Sequence, residues 1–368
     1  MQLEDFDVAV SMTGLTVPYG QALRAKRPVV GTEAVLAILI RSTPYLPDKA
    51  RALIRDRPPR NGHGESGAAL DDHARGRVAS VRAVREAQWV AWMRYQRRGG
   101  TPPVWHQGVL AALDAAVDVA KEVGTQLVTS EHVLIGLLRN PPSGVRDQLA
   151  SAGLRADSLL ALLEPHRADP GSFATPSLSD LTMYGARPDA VPRWLRWPAR
   201  LLAVGAQRGV GGRGPLLPAV LDEAGRQAVR AGVGQVDVAH LLLAIASVNW
   251  QLEYAGVRVP VLELTRRCGQ VMVAHGVTYP SLLAVMTEHA VAVVGDPAML
   301  SLPETSGFRA VIDRAVADAA SQDVQALGSQ HLVPAVLAVD DGPVTRALDT
   351  LGVDTTALLT DLAAIRSE

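Results

Sequence analysis

Three histidines occupy one repeated position of this 368-residue chain: His132, His240 and His331. Nine histidines in all invite a metal reading. A zinc site needs three or four ligands that converge on one point. One histidine per repeat spreads these side chains apart, so a structural role near a helix start is expected and no metal is assigned. Cys268 follows Arg266 and Arg267. Neighbouring positive charge lowers a thiol pKa, yet one isolated cysteine is expected to be a passive small residue. The chain has no Gly-x-Ser-x-Gly elbow, no His-Glu-x-x-His and no cysteine pair. Gly205 to Gly214 is rich in glycine and arginine but lacks the lysine of a phosphate loop. No enzyme and no cofactor are expected. What remains is binding.

The elements that position these residues are four copies of one helix start. The clearest is Val128-Thr129-Ser130-Glu131-His132-Val133-Leu134-Ile135-Gly136-Leu137-Leu138-Arg139. Ser130 is the expected N-cap, its hydroxyl satisfying amides that the first turn leaves unpaired. Glu131 then lies in the first turn, where a negative charge suits the helix dipole. Val133, Leu134, Leu137 and Leu138 form a buried face, and Pro141-Pro142 stops the helix. The other copies begin at Gly31-Thr32-Glu33, Asp237-Val238-Ala239-His240 and Gly328-Ser329-Gln330-His331. Thr32 and Asp237 are the expected caps of the first and third. Glu33, Glu131, Ala239 and Gln330 are equivalent, at intervals of 98, 108 and 91 residues. Self-similarity of this kind decides the architecture.

A second phrase follows each anchor. Leu149 to Leu160, Leu252 to Leu262 and Leu348 to Leu359 each read as a helix end, a glycine C-cap and a new helix. In the first copy Lys49 to Arg57 supplies the helix without the glycine.

Together these phrases resemble the N-terminal domain of Clp-type protein-unfolding chaperones, above all the ClpC branch. That domain is two copies of a helical repeat with a Gly-Thr-Glu-His-like helix start and a later Leu-Gly turn. The resemblance implies an all-α fold of two tandem Clp N-terminal-like domains, each a pseudo-twofold pair of repeats. It places the first domain at 1–165, with repeats at about 1–58 and 102–165 and an inserted basic helix at 74–98. A linker follows at 166–192. The second domain is 193–368, with repeats at about 215–270 and 303–366 and an inserted helix at 279–294. The ATPase modules that follow such domains in Clp unfoldases are absent from this sequence.

The resemblance also implies ligands. In the ClpC branch the anchor-helix glutamate takes part in pockets for phosphorylated arginine, a degradation mark. Carried over, this implicates Glu33 and Glu131, with Thr32 and Ser130 beside them. A carboxylate can engage a guanidinium, and the hydroxyl and amides of a helix start can hold a phosphate. The competing reading is first-turn capping by the same carboxylates, and both stay open. Ala239 and Gln330 lack the charge, so the second domain should have lost this chemistry. The family domain is also a target of cyclic-peptide antibiotics through aromatic and apolar residues, which implicates Phe6 and Trp105, with Phe308 in a similar neighbourhood. Expected partners are therefore a peptide or modified-protein ligand, a cyclic peptide, or a Clp ATPase, and the expected role is to modulate or protect a Clp protease.

Composition fits this outline. Hydrophobic residues make up 48% of the chain and aromatics 4%, so cores of aliphatic helix packing are expected. About two domains suit this length. One cysteine excludes an intramolecular disulfide and suits a reducing cytosol. No apolar run reaches the ~18 residues of a membrane span, and Met1 to Asp7 lacks the positive start of a secretory signal. A cytoplasmic location is expected.

In chain order, Phe6, Val10 and Leu15 are core positions of an opening helical region that Pro18 interrupts. From Arg41 to Arg98 there are 13 Lys/Arg against 6 Asp/Glu, and from Asp296 to Glu368 there are 4 against 11. Ala74 to Arg98, with Trp89, Trp92 and Tyr95, packs on the domain with solvated arginines in the favoured reading. A nucleic-acid-binding face is the alternative. Arg193 to Gln207 is expected as a short extra helix.

Overall fold

The computed structural model describes residues 12–43, 45–48, 50–51, 78–95, 102–125, 127–167, 181–182, 214–254, 256, 258, 262–287, 302–322, 327–339 and 342–366. Phe6, Val10, the turn-rich stretch from Pro58 and the helix expected at Arg193 to Gln207 lie outside them. The described residues fall into two compact units, one within 1–173 and the other within 174–368. Both are all-α. No described helix is long and apolar enough to cross a membrane.

In the first unit, α1 (Met12–Arg24) leads to β1 (Val29–Val30) and α2 (Thr32–Ser42). Then come α3 (Val78–Tyr95), β2 (Val104–Trp105), α4 (Gln107–Glu122), α5 (Ser130–Arg139), α6 (Ser143–Ser151) and α7 (Ala156–Leu163). One 3-10 turn, Glu164–His166, follows. β1 and β2 pair in parallel, Val29 opposite Val104 and Val30 opposite Trp105. The Val104 amide donates to Pro28 O at 2.9 Å and the His106 amide to Val30 O at 3.0 Å. This short ladder ties the start of α2 to the start of α4. The two anchors α2 and α5 pack on each other, α4 lies along α5, and α6 packs on α2. A Cβ at Gly136 would meet the Ala112 carbonyl oxygen at 2.7 Å. That close approach accounts for a glycine inside α5, where it costs about 1 kcal/mol of helix propensity.

The second unit holds α8 (Leu216–Ala231), α9 (Val238–Tyr254), α10 (Glu263–Ala274), α11 (Tyr279–Thr287), α12 (Ser306–Ser321), α13 (Ser329–Leu337), α14 (Gly342–Thr350) and α15 (Thr355–Arg366). A parallel bridge recurs, Val236 with Glu304. The Val236 amide donates to Pro303 O at 2.9 Å and the Thr305 amide to Val236 O at 3.0 Å. Again the start of one anchor is tied to the start of the next lead helix, α12. The anchors α9 and α13 pack on each other, and α8 and α12 lie along α9 and α13 respectively.

Three glycines in left-handed conformation close the repeats. At Gly153 (φ 66°) the Gly153 amide donates to Ala150 O and the Leu154 amide to Leu149 O. The same pair of bonds forms at Gly352, from Gly352 to Asp349 O and from Val353 to Leu348 O. The third instance is Gly276, with Gly276 to Val273 O and Val277 to Met272 O. Here the structure extends the sequence reading. Gly256 is left-handed (φ 60°) after α9, as read, and the turn that matches Gly153 and Gly352 in both bonds lies twenty residues on, at Gly276. Tyr279–Thr287 is therefore the helix that follows that turn, packed on anchor α9 as α7 packs on α5 and α15 on α13. The shift follows from α9, which runs 17 residues without a break. No proline pair interrupts it, whereas Pro141-Pro142 divides α5 from α6.

Other expectations are adjusted as well. Pro18 lies inside α1 and does not interrupt it. Leu15, Tyr19 and Ala22 on that helix are core residues, and their burial outweighs the ~3 kcal/mol a helical proline costs. Leu181, within the expected linker, is helical and fully buried in the second core. On α3, Trp89 and Trp92 are half-buried as the packing reading has it, but Arg82 and Glu86 are buried rather than solvated. Burial also depresses the Arg85 pKa.

The second core contains a polar cluster. Glu223 on α8 is fully buried and accepts from Arg226 Nε, Gln227 Nε2 and Ser247 Oγ, each at 2.7 Å. Gln251 Nε2 donates to Ser247 Oγ, and the Tyr279 hydroxyl accepts from Gln227 Nε2 and Arg230 Nη1. Burial pushes the Glu223 carboxyl up, but the Arg226 and Arg230 charges and the Ser247 hydroxyl hold it below the usual range. It is therefore a buried carboxylate, tolerable because it is paired and hydrogen-bonded.

Candidate functional site at the anchor-helix starts

The first two anchors begin one residue earlier than the capping pattern implies, whereas the third begins directly after Asp237, its expected cap. Thr129, in extended conformation, is the N-cap of α5, and Ser130 is the first helical residue. Gly31 is likewise the N-cap of α2, ahead of Thr32. The equivalent residues are Asp237 and Gly328. The register is set by a bond that sequence reading missed. The His132 amide donates to Thr129 Oγ1 at 3.2 Å, and the Thr129 amide donates to His132 Nδ1 at 3.0 Å. This is a capping box with imidazole in the place of the usual glutamate.

His240 repeats both halves and His331 the histidine half alone, since Gly328 has no side chain. The Asp237 amide donates to His240 Nδ1 at 3.3 Å while the His240 amide donates to Asp237 Oδ1 at 3.0 Å. The Gly328 amide donates to His331 Nδ1 at 3.2 Å. Each histidine thus holds its own helix start, as their shared position implies. In His132 the outer nitrogen donates to Arg167 O at 2.7 Å, which leaves Nδ1 as the acceptor. Burial lowers the His132 pKa, against smaller opposing effects of backbone carbonyls. The signal was present in the sequence as Thr129-x-x-His132 and its equivalents, spaced like a capping box.

The second position of each anchor carries the candidate ligand groups. Glu33 and Glu131 are half-buried and reach the surface of the first unit. Ala239 and Gln330 are 9% and 5% exposed. The amide of Ser329, beside Gln330, is taken by Thr265 Oγ1 from α10. Both anchor starts of the second unit are thus apolar or covered. Only the first unit offers carboxylates at these positions.

The two starts of the first unit differ. At α5, Ser130 is 7% exposed and its hydroxyl has no hydrogen bond among the described residues. The amides of Ser130 and Glu131 have none either, and no ion pair or hydrogen bond engages the Glu131 carboxylate. At α2, Thr32 is fully buried, with its hydroxyl sealed from solvent and without a partner. The Glu33 side chain folds back over its own N-cap, so that a Cβ on Gly31 would collide with Glu33 Oε2. Gln330 folds over Gly328 in the same way.

The aromatic candidates separate from this group. Trp105 is 2% exposed and packs against Tyr19, with tilted rings whose centroids are 5.2 Å apart. It anchors β2 to α1 inside the core and presents no ring to a ligand. Phe308 is equally buried, on α12. Phe6 lies outside the described residues. At the far end of α5, Arg139 binds Glu122 through two bonds of 2.7 and 2.8 Å and reaches Glu164 at 3.2 Å. That network fastens α5 to α4 and to the 3-10 turn. The chain matches no protein-family model and no curated protein sequence.

Proposed function

We propose that this chain is a non-catalytic binding protein made of two Clp N-terminal-like units, each a pair of helical repeats. Its first unit reads an arginine-phosphorylated or arginine-bearing peptide at an anchor-helix start. The tandem arrangement is supported by the recurring bridge between anchor and lead helix, the paired anchors and the matching glycine turns. The ligand reading rests on one observation: the start of α5 joins two unused amides and the Ser130 hydroxyl to an unengaged carboxylate. Donors at a helix N-terminus suit phosphate oxygens. A carboxylate beside them suits a guanidinium. Phosphoarginine carries both groups on adjacent atoms, so one ligand satisfies both halves of the site.

In this reading the second unit is a scaffold or a surface for a protein partner, because Ala239 and Gln330 carry no charge. The chain then acts on a Clp system by sequestering or presenting substrates, and Clp-directed toxic peptides fall within the same role. Calorimetric titration of the 368-residue chain with free phosphoarginine tests the reading. Saturable heat that disappears in Glu33→Ala/Glu131→Ala is expected. Absence of heat with the wild-type chain overturns it.

A further inference from the structure

The two carboxylates of the first unit have different jobs, although their sequence positions are equivalent. We infer that Glu131 alone is the ligand carboxylate and that Glu33 is the cap of its own helix, so that the chain takes one cationic ligand rather than two. This rests on the ligand reading given above for the site, and adds its stoichiometry and the residue that carries it.

The difference traces to the N-cap residues. Thr129 and His132 complete a capping box at α5, which leaves Glu131 with no capping task. Gly31 has no side chain to offer, and α2 has no side-chain cap bond from its N-cap. The Glu33 carboxylate occupies the space that an N-cap side chain would fill, over the positive end of the helix dipole. Glu33 has an interaction within the protein, whereas none is found for Glu131 among the described residues. Gln330 adopts the same folded-back pose over Gly328. The pose is thus open to a neutral side chain, which carries no charge for a guanidinium to meet, although Gln330 Oε1 accepts no hydrogen bond in it. The neighbouring hydroxyls agree: that of Thr32 is sealed inside the unit, and Ser130 keeps residual exposure. A ligand at α2 would have to displace Glu33 from its own helix and would find no hydroxyl.

Single variants separate the two roles by two independent readouts. Calorimetry with phosphoarginine is expected to give one site per chain. That site is lost in Glu131→Ala and retained, with affinity within about twofold, in Glu33→Gln. Thermal unfolding is expected to do the reverse. Glu33→Ala lowers the midpoint of the first unit by about 2–4 °C, as loss of a cap implies, and Glu33→Gln and Glu131→Ala each lower it less, the latter losing only its helix-dipole attraction. Two sites per chain, or equal loss of binding in Glu33→Gln and Glu131→Ala, overturns the inference while keeping the ligand reading. If the wild-type chain binds no phosphoarginine, the ligand reading falls. The capping assignment then stands or falls on the midpoints alone, and equal destabilisation by Glu33→Ala and Glu131→Ala overturns it.

Discussion

Truncation of Glu223 to alanine should destabilise the second unit more than any surface change. The carboxylate is fully buried and accepts three bonds of 2.7 Å, from Arg226, Gln227 and Ser247. Removing it takes the partner carboxylate from Arg226, itself 2% exposed, and strands an amide and a hydroxyl. Breaking a buried pair by deleting one partner costs about 3–5 kcal/mol. For a unit of this size, about 2–4 °C per kcal/mol converts that to a fall of roughly 6–20 °C in the unfolding midpoint. Glu223→Gln keeps the shape but not the charge, and should fall between wild type and Glu223→Ala. The pH dependence has a definite sign. The folded Glu223 pKa lies below the unfolded value of about 4.3. On acidification the unfolded chain therefore takes up this proton first. The contribution is complete above about pH 4.3 and is lost as pH falls through the folded value. Differential scanning calorimetry and urea unfolding at pH 7, repeated between pH 5 and 3, measure both effects. A cost below about 1 kcal/mol for Glu223→Ala at pH 7, or an unchanged acid slope in Glu223→Gln, would refute the view that the cluster is held by an ionised carboxylate.

Three further outcomes follow from the anchors. His132→Ala should lose about 1 kcal/mol of cap stability, read by urea unfolding. Because burial lowers the His132 pKa, its contribution is full above about pH 6.5 and declines as pH falls toward the folded value, so His132→Gln should flatten the stability profile below pH 6.5. Gly31→Ala should push the Glu33 carboxylate off the start of α2, and its penalty should vanish in a Glu33→Ala background. A double-mutant cycle is expected to give coupling of about 0.5–3 kcal/mol, and additivity would contradict the folded-back pose. Gly136→Ala sets a methyl group against the Ala112 carbonyl oxygen and should destabilise the α4–α5 contact by about 1–3 kcal/mol, seen as a lower urea midpoint with binding geometry changed at the far side of α5.

The fold was legible in the sequence wherever local signals are redundant. Each anchor joins a start signal to an apolar helical face, and those features need no tertiary information. The glycine turns at Gly153 and Gly352 could be read for the same reason, since a left-handed residue after a helix is costly for any side chain but glycine. Where two signals competed, the tertiary structure chose. Gly256 and Gly276 both stand after a helix in the third copy. Both α10 and the helix after Gly276 pack against α9, and the paired turn bonds at Gly276 are the ones that match those at Gly153 and Gly352.

Burial was beyond the reach of the sequence pattern. Trp105 and Arg82 belong to types often found at interfaces, yet one packs against Tyr19 in the core and the other is enclosed on α3. Which face of an element meets a neighbour depends on packing partners distant in sequence. The Glu223 cluster escaped notice for the same reason, because Ser247 and Tyr279 lie 24 and 52 residues from Glu223 and Gln227 respectively. By itself the sequence determined that Glu33 and Glu131 are equivalent in the repeat. Only the tertiary structure separated them. With glycine before α2 the Glu33 side chain can fold over its own N-cap, whereas at α5 the Thr129–His132 box already fills that place.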